Sequence, residues 1–159
     1  MDKIYNALGF MSGTSGDGVD ASIIKSDGKD KINIEYNNYE PYPQNLTDEI
    51  HSIKEKLNNS SDLDKYSSKI DILEKKLTDF HSQMAIKLIK GHKIDIIGFH
   101  GQTIFHNSNE RLSRQIGLGK NLSKVTKRKV VYNFRQNDLK NGGEGAPLAP
   151  IYHQVLFKN

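Results

Sequence analysis

Apolar and polar positions change period three times along this chain. Residues 4–11 (IYNALGFM) read as a buried strand, the small-residue turn SGTSGDG follows, and VDASIIKS alternates as a second strand, making a β-hairpin. Asp27 to Lys31, with Gly28, form another turn. Beyond it Ile32, Ile34, Tyr36 and Tyr39 alternate imperfectly, which predicts a third antiparallel strand closing at Pro41 and Pro43. The period then becomes helical. Leu46, Ile50, Ile53 and Leu57 define one helix; Leu63, Tyr66, Ile70, Leu73, Leu77, Phe80, Met84 and Leu88 define a second, long one. Ser61 or Asp62 is expected to cap the long helix, and Gly91 to take the left-handed position just past its end.

The long stripe alternates threes and fours, so a coiled-coil seam competes with a helix lying on a sheet. The run IDIIGFHGQT at 94–103 favours the sheet: it is continuously apolar, as a strand buried on both faces must be, and it ends in polar residues. Function is expected at its carboxyl end. Residues 118–128 read as a short helix, KVVYNF at 129–134 as another inner strand, and Ala146 to Phe157 as a last helix. The predicted order is β-β-β-α-α-β-α-β-α, an α/β domain on a mixed five-stranded sheet.

At 159 residues the chain has the length of one ordinary domain. With 35% hydrophobic residues it reads as a polar-surfaced, soluble protein. The absence of cysteine removes disulfides, thiolate metal sites and thiol nucleophiles from consideration. The start MDKIYNALGF lacks the apolar core of a signal peptide, and no run approaches the ~18 apolar residues of a membrane span, so the expected location is the cytoplasm, away from membranes. The net charge of +4 is spread out except at Lys124, Lys127, Arg128 and Lys129, which argues against a nucleic-acid partner.

Three clusters could carry chemistry. In SGTSGDG, Gly13, Gly16 and Gly18 allow backbone amides to approach an anion, and Thr14 and Ser15 add hydroxyl donors, as a phosphate grip requires. The turn is neither a P-loop, lacking Gly-Lys-Ser/Thr, nor a Rossmann fingerprint, since a strand follows. Asp17 and Asp20 beside it could hold magnesium or be a turn former and a surface residue. His100, Gly101, Gln102 and Thr103 end a buried strand with donors and acceptors suited to sugar hydroxyls. His100 and His106 lack a third ligand of convincing spacing for zinc, so no metal is assigned to histidine. In NFRQNDLKNGGEGAPLAP, Arg135 and Asp138 precede Gly142, Gly143 and Gly145; Asp138 is a candidate general base, its plain alternative a loop-capping carboxylate.

MSGTSGDGVDAS (11–22), GFHGQTIFH (98–106) and NFRQNDLKNGGEGAPLAPIYHQVLF (133–157), with Gln115, Ile116 and Gly117 between them, resemble the anhydro-N-acetylmuramic acid kinases in order and spacing. The resemblance covers essentially the whole chain. It implies an actin-like, ribonuclease H-like lobe of a two-lobed sugar kinase with ATP and magnesium in the cleft. The family reaction opens the 1,6-anhydro ring of anhydro-N-acetylmuramic acid with water while phosphorylating oxygen 6, in peptidoglycan recycling. Carried over by position, Gly13, Thr14, Ser15, Gly16, Asp17, Gly18, Val19 and Asp20 form the ATP phosphate loop. Asp138 becomes the base that activates water, and His100, Gln102 and Arg135 surround the sugar.

Three positions depart from the family pattern: Gly16 replaces a bulky residue, Asn133 an aspartate, and Glu144 a glutamine. Family members run to more than twice this length, and the end at Asn159 falls directly behind a motif. Residues 1–159 are therefore expected to be an N-terminal lobe whose C-terminal partner lies outside this chain, inactive alone. Two other readings stand beside the kinase: a sugar- or anion-binding module without transfer chemistry, and a homodimer formed through the stripe from Leu63 to Leu88.

Overall fold

The computed structural model describes residues 3–107 and 109–157. The first three strands, β1 (Tyr5–Ser12), β2 (Gly18–Ser26) and β3 (Ile32–Pro41), form an antiparallel meander. Helices α1 (Gln44–Lys54), α2 (Ser61–Lys65) and α3 (Ser67–Gly91) follow. The chain then returns through β4 (Ile96–Asn107), β5 (Leu112–Ile116), α4 (Gly119–Thr126), β6 (Lys129–Tyr132), α5 (Phe134–Lys140) and α6 (Pro150–Leu156).

Strand β4 organises the sheet. It lies parallel to β1, with Phe10 opposite Phe99 and Ser12 opposite Gln102, and its first half also runs parallel to β6, with Phe99 opposite Tyr132. Its second half turns back against β5 as an antiparallel hairpin. The path is β3-β2-β1-β4-β5, with β6 joined to β4. Strands β1, β4 and β6 therefore point the same way, and the residues after each of them gather at one edge, where open α/β sheets place ligands.

Period and burial explain the layers. Ile70, Leu73, Leu77, Met84, Ala85 and Leu88 of α3 are buried with Leu8, Phe10, Ile97 and Phe99 in a single core. The heptad-like stripe is thus consumed inside the chain, and Leu77 has no exposed surface left for a seam. Leu46, Ile50 and Ile53 bury the matching face of α1. Lys76 of α3 also grips Glu49 of α1 at 2.6 Å. Among the described residues no helix is long and apolar enough to cross a membrane.

Several expectations need correction. The sheet has six strands, not five, because 112–116 forms β5; its alternation is short and largely polar, with Ser113 and Ile116 buried. The predicted order gains that strand and two helices. The long helix breaks at Tyr66, and Asp62 does not cap it: its carboxylate accepts from the amides of Asn58 and Asn59 ahead of α2. Gly91 closes α3 from within, and the cap residue His92 is extended, so no left-handed glycine ends this helix. The strand expected over 129–134 ends at Tyr132, and Phe134 to Lys140 are helical; Asn133 is left-handed between β6 and α5, a conformation asparagine tolerates well. The last helix begins at Pro150 instead of Ala146.

Candidate functional site

The turn between β1 and β2 is tied to its surroundings through its carbonyl oxygens. Gly16 N–H closes it onto Gly13 O at 3.2 Å, and Gln102 Nε2 also donates to Gly13 O at 2.9 Å. Tyr42 N–H donates to Asp17 O at 2.8 Å. Ser12 Oγ lies 3.1 Å from Gly18 O, 2.8 Å from Tyr42 Oη and 2.5 Å from Gln102 Oε1. From α1, His51 Nε2 meets Ser15 O at 2.6 Å, and Lys54 Nζ donates to Thr14 O. The amide N–H groups of Thr14 and Ser15 have no partner among the described residues. Engaged carbonyls and free amides are the pattern of backbone nests, concavities of the kind that receive anions.

Side chains in this turn divide the work. Gly16 has φ +70°, and a Cβ there would lie 2.9 Å from Ile50 Cγ2, so glycine suits the conformation this chain adopts. Asp17 accepts from Ser15 Oγ at 2.6 Å. That bond, with its own amide and that of Gly18, holds its carboxyl below the usual range. Asp20 is exposed on β2. Val19 lies in β2 and is fully buried, so its side chain is part of the core and does not face the turn. Burial pushes the Tyr42 hydroxyl well up, against the smaller opposing effect of Ser12, and leaves it a neutral partner for Ser12. Among the described residues no group of three His, Cys, Asp or Glu could hold a metal ion.

Gln102, expected beside a sugar, is fully buried, and its amide is spent on Ser12, Gly13 and Thr103. It joins the β4 motif to the turn, which a sequence-level reading of the strand end could not separate from ligand contact. His100 instead borders a cavity of about 310 Å³, together with Phe99, Leu112, Ser113, Arg114, Gln115, Gly117, Tyr132, Asn133 and Gln136. This cavity lies at the carboxyl ends of the paired stretches of β4 and β6. Gln115 and Gln136 enter through β5 and α5, the elements absent from the sequence-derived order. The Gln115-Ile116-Gly117 resemblance was the available signal for the first.

Arg135 Nε donates to His100 Nε2 at 2.9 Å, and its Nη1 donates to Gly145 O at 2.6 Å. The His100 Nδ1–H then donates to Gly101 O at 2.8 Å. Burial lowers the His100 pKa, and the Arg135 charge adds to it. The side chain is a neutral imidazole with both nitrogens assigned. Asp138 Oδ2 accepts from Gly145 N–H at 2.8 Å, while the Asp138 backbone carbonyl receives Gly143 N–H at 2.9 Å. A Cβ on Gly143 would fall 2.2 Å from Asp138 Oδ2, so glycine there makes room for the carboxylate. Asp138 Oδ1 has no partner among the described residues. The loop-capping and general-base readings therefore fall on different oxygens of one carboxylate.

Residues 5–159 match the family model described as Anhydro-N-acetylmuramic acid kinase. An Anhydro-N-acetylmuramic acid kinase of Pelagibacter ubique is 50% identical over 159 residues, covering 99% of this chain and 42% of the relative. Enzymes of the same description from Nitrobacter winogradskyi and Agrobacterium fabrum are 38% and 36% identical, covering 98% and 100% of this chain and 44% of each relative. The chain thus spans less than half the length of the curated relatives it matches. Since the family match runs through β1, β4 and α5, the segments that build this sheet edge, the chain belongs to the anhydro-N-acetylmuramic acid kinase family.

Proposed function

We propose that residues 1–159 form the first lobe of a two-lobed, actin-like kinase that converts 1,6-anhydro-N-acetylmuramic acid and ATP into N-acetylmuramic acid 6-phosphate and ADP. The observation that carries this reading is the parallel course of β1, β4 and β6, whose carboxyl ends are followed by the turn with the free Thr14 and Ser15 amides, by the cavity beside His100 and by the helix that carries Asp138. The free amides of Thr14 and Ser15 fit the phosphate groups of a nucleotide. Asp17, kept ionised, fits a magnesium ion held mainly by phosphates and water, which takes only one or two carboxylates from a protein. Magnesium, when bound, offsets the charge of the phosphates.

Asp138 Oδ1 takes the proton from a water aimed at the anomeric carbon. As that water oxygen bonds to the carbon, the bond from the carbon to oxygen 6 breaks and its electron pair stays on oxygen 6. Oxygen 6 then accepts the γ-phosphoryl group, and ADP departs. His100 borders the cavity and accepts a hydrogen bond from Arg135, which fixes the orientation of its ring at the wall that would face the sugar. The Gly145 amide keeps Asp138 aimed while its other oxygen works. Gln102 acts on the turn, not on the sugar.

Release of ADP from ATP, magnesium and 1,6-anhydro-N-acetylmuramic acid tests the reading, using this chain alone, this chain with the remaining portion of a relative supplied, and Asp138→Asn in the complemented sample. Activity only on complementation, lost in Asp138→Asn, supports it. Sugar binding with no turnover in any sample replaces it with a binding module.

A further inference from the structure

We propose that Lys54 and His51, on the last turn of α1, are positioning residues for polyphosphate: they hold the carbonyls of Thr14 and Ser15 toward α1 so that the amides between β1 and β2 face the ligand. The proposal rests on the phosphate-grip reading above and assigns it a second element, one that none of the sequence motifs includes.

A trans peptide points its C=O and the following N–H in opposite directions. Lys54 holds the Thr14 carbonyl, so the Ser15 amide of the same peptide is turned away from α1. The Gly13 carbonyl is held by Gln102, which fixes the Thr14 amide by the same rule. His51, at 2.6 Å from Ser15 O, secures the next peptide and keeps that carbonyl, a source of negative potential, off the anion side. Without these donors a glycine-rich turn could rotate its peptides and present oxygens to an incoming anion.

The donors are themselves well anchored. Ile50 and Ile53 beside them are buried, Ile50 contacts the position that a Gly16 Cβ would occupy, and Glu49 is bound to Lys76 of α3. Lys54 also places a cation behind the turn, where it supports negative charge in front. Lys56 is close in sequence but donates to Ser52 Oγ at 2.8 Å, so it provides a control that removes the same charge without touching the turn.

The test is titration of the ¹⁵N-labelled chain with inorganic tripolyphosphate, following the Thr14 and Ser15 amides in the wild type, Lys54→Met, Lys54→Arg and Lys56→Met. In the wild type both amides shift and saturate. Lys54→Met weakens binding about tenfold, as loss of one charge-assisted hydrogen bond implies. Lys56→Met changes it by less than about twofold, as expected for a charge engaged away from the turn, and Lys54→Arg restores most of the affinity. In the ligand-free chain the Ser15 nitrogen, which shares a peptide with the Thr14 carbonyl, moves in Lys54→Met and not in Lys56→Met. Equal binding by wild type and Lys54→Met, or equal weakening by Lys54→Met and Lys56→Met, overturns the positioning role and leaves the turn as a phosphate grip. No response of Thr14 and Ser15 in the wild type overturns the grip itself, and the positioning role with it.

Discussion

Arg135 Nε and His100 Nε2 lie 2.9 Å apart, and because a guanidinium can only donate, the imidazole nitrogen facing it must be unprotonated. Burial and then the Arg135 charge hold His100 below the ordinary histidine pKa. Arg135→Gln removes only the second cause, so the His100 pKa should rise but stay below that of an exposed histidine. A ¹⁵N-detected NMR titration of the imidazole checks this; an unchanged or lowered value would contradict the pairing.

His81 presents a different acid response. It is fully buried among Phe10, Phe80, Phe99 and Tyr42, donates from Nδ1 to Leu77 O at 2.8 Å, and leaves Nε2 without a partner among the described residues. Burial lowers its pKa to about 4. The unfolded chain binds this proton near its ordinary pKa of about 6.5 and the folded chain does not, so stability falls as pH drops from about 6.5 toward about 4. The loss between about pH 7 and about pH 5 should be about 2 kcal/mol by urea unfolding, and His81→Leu should flatten it. The lowered carboxyls of Asp27 and Asp95 contribute at more acid pH, below the ordinary aspartate value, which separates the two effects.

Gly143→Ala tests the packing under the carboxylate. A methyl at that point falls on Asp138 Oδ2, so the side chain must turn away from the Gly145 amide. With Asp138 as the proposed base, the rate in the complemented assay should drop about tenfold to hundredfold from its misplacement, with a melting temperature close to wild type. Full activity would show that Asp138 needs no such seat.

Leu77 has no exposed surface and lies in the core between α3 and the sheet. Leu77→Ala should cost about 2–5 kcal/mol in unfolding experiments, the range for a buried leucine whose cavity refills incompletely. Were the stripe a dimer seam, dilution would mimic the substitution; for an internal core residue, wild-type stability should not depend on protein concentration.

Much of this architecture was readable because burial imposes a period. The meander showed in its alternation, and Ile70, Leu73, Leu77, Met84 and Leu88 marked the face of α3 that the sheet covers. The strand at 112–116 escaped because its hairpin partner β4 extends past the polar residues that looked like an ending, and neither piece is apolar enough to signal itself. Helix α5 escaped because asparagine, aspartate and the nearby glycines favour turns locally, while burial of Leu139, a tertiary effect, accompanies the helical form. In the candidate site, residue types offered candidates but not the direction each side chain takes. Gln102 and Lys54 illustrate this: one was assigned to the ligand and points to the turn, the other carried no motif and reaches it.

The pairing of β1 with β4 brings Ser12 beside Gln102 across a separation of 90 residues. Closing so long a loop costs on the order of 4 kcal/mol of chain entropy, whereas the meander joins through short turns. The glycine-rich turn proposed to hold phosphate sits within the local hairpin, yet its Gly13 carbonyl is held from the distant strand. A ligand that requires those oriented amides therefore adds its binding energy to the least local pairing in the domain. Nucleotide should raise the protection of β4 amides against solvent exchange more than that of the outer meander strand β3.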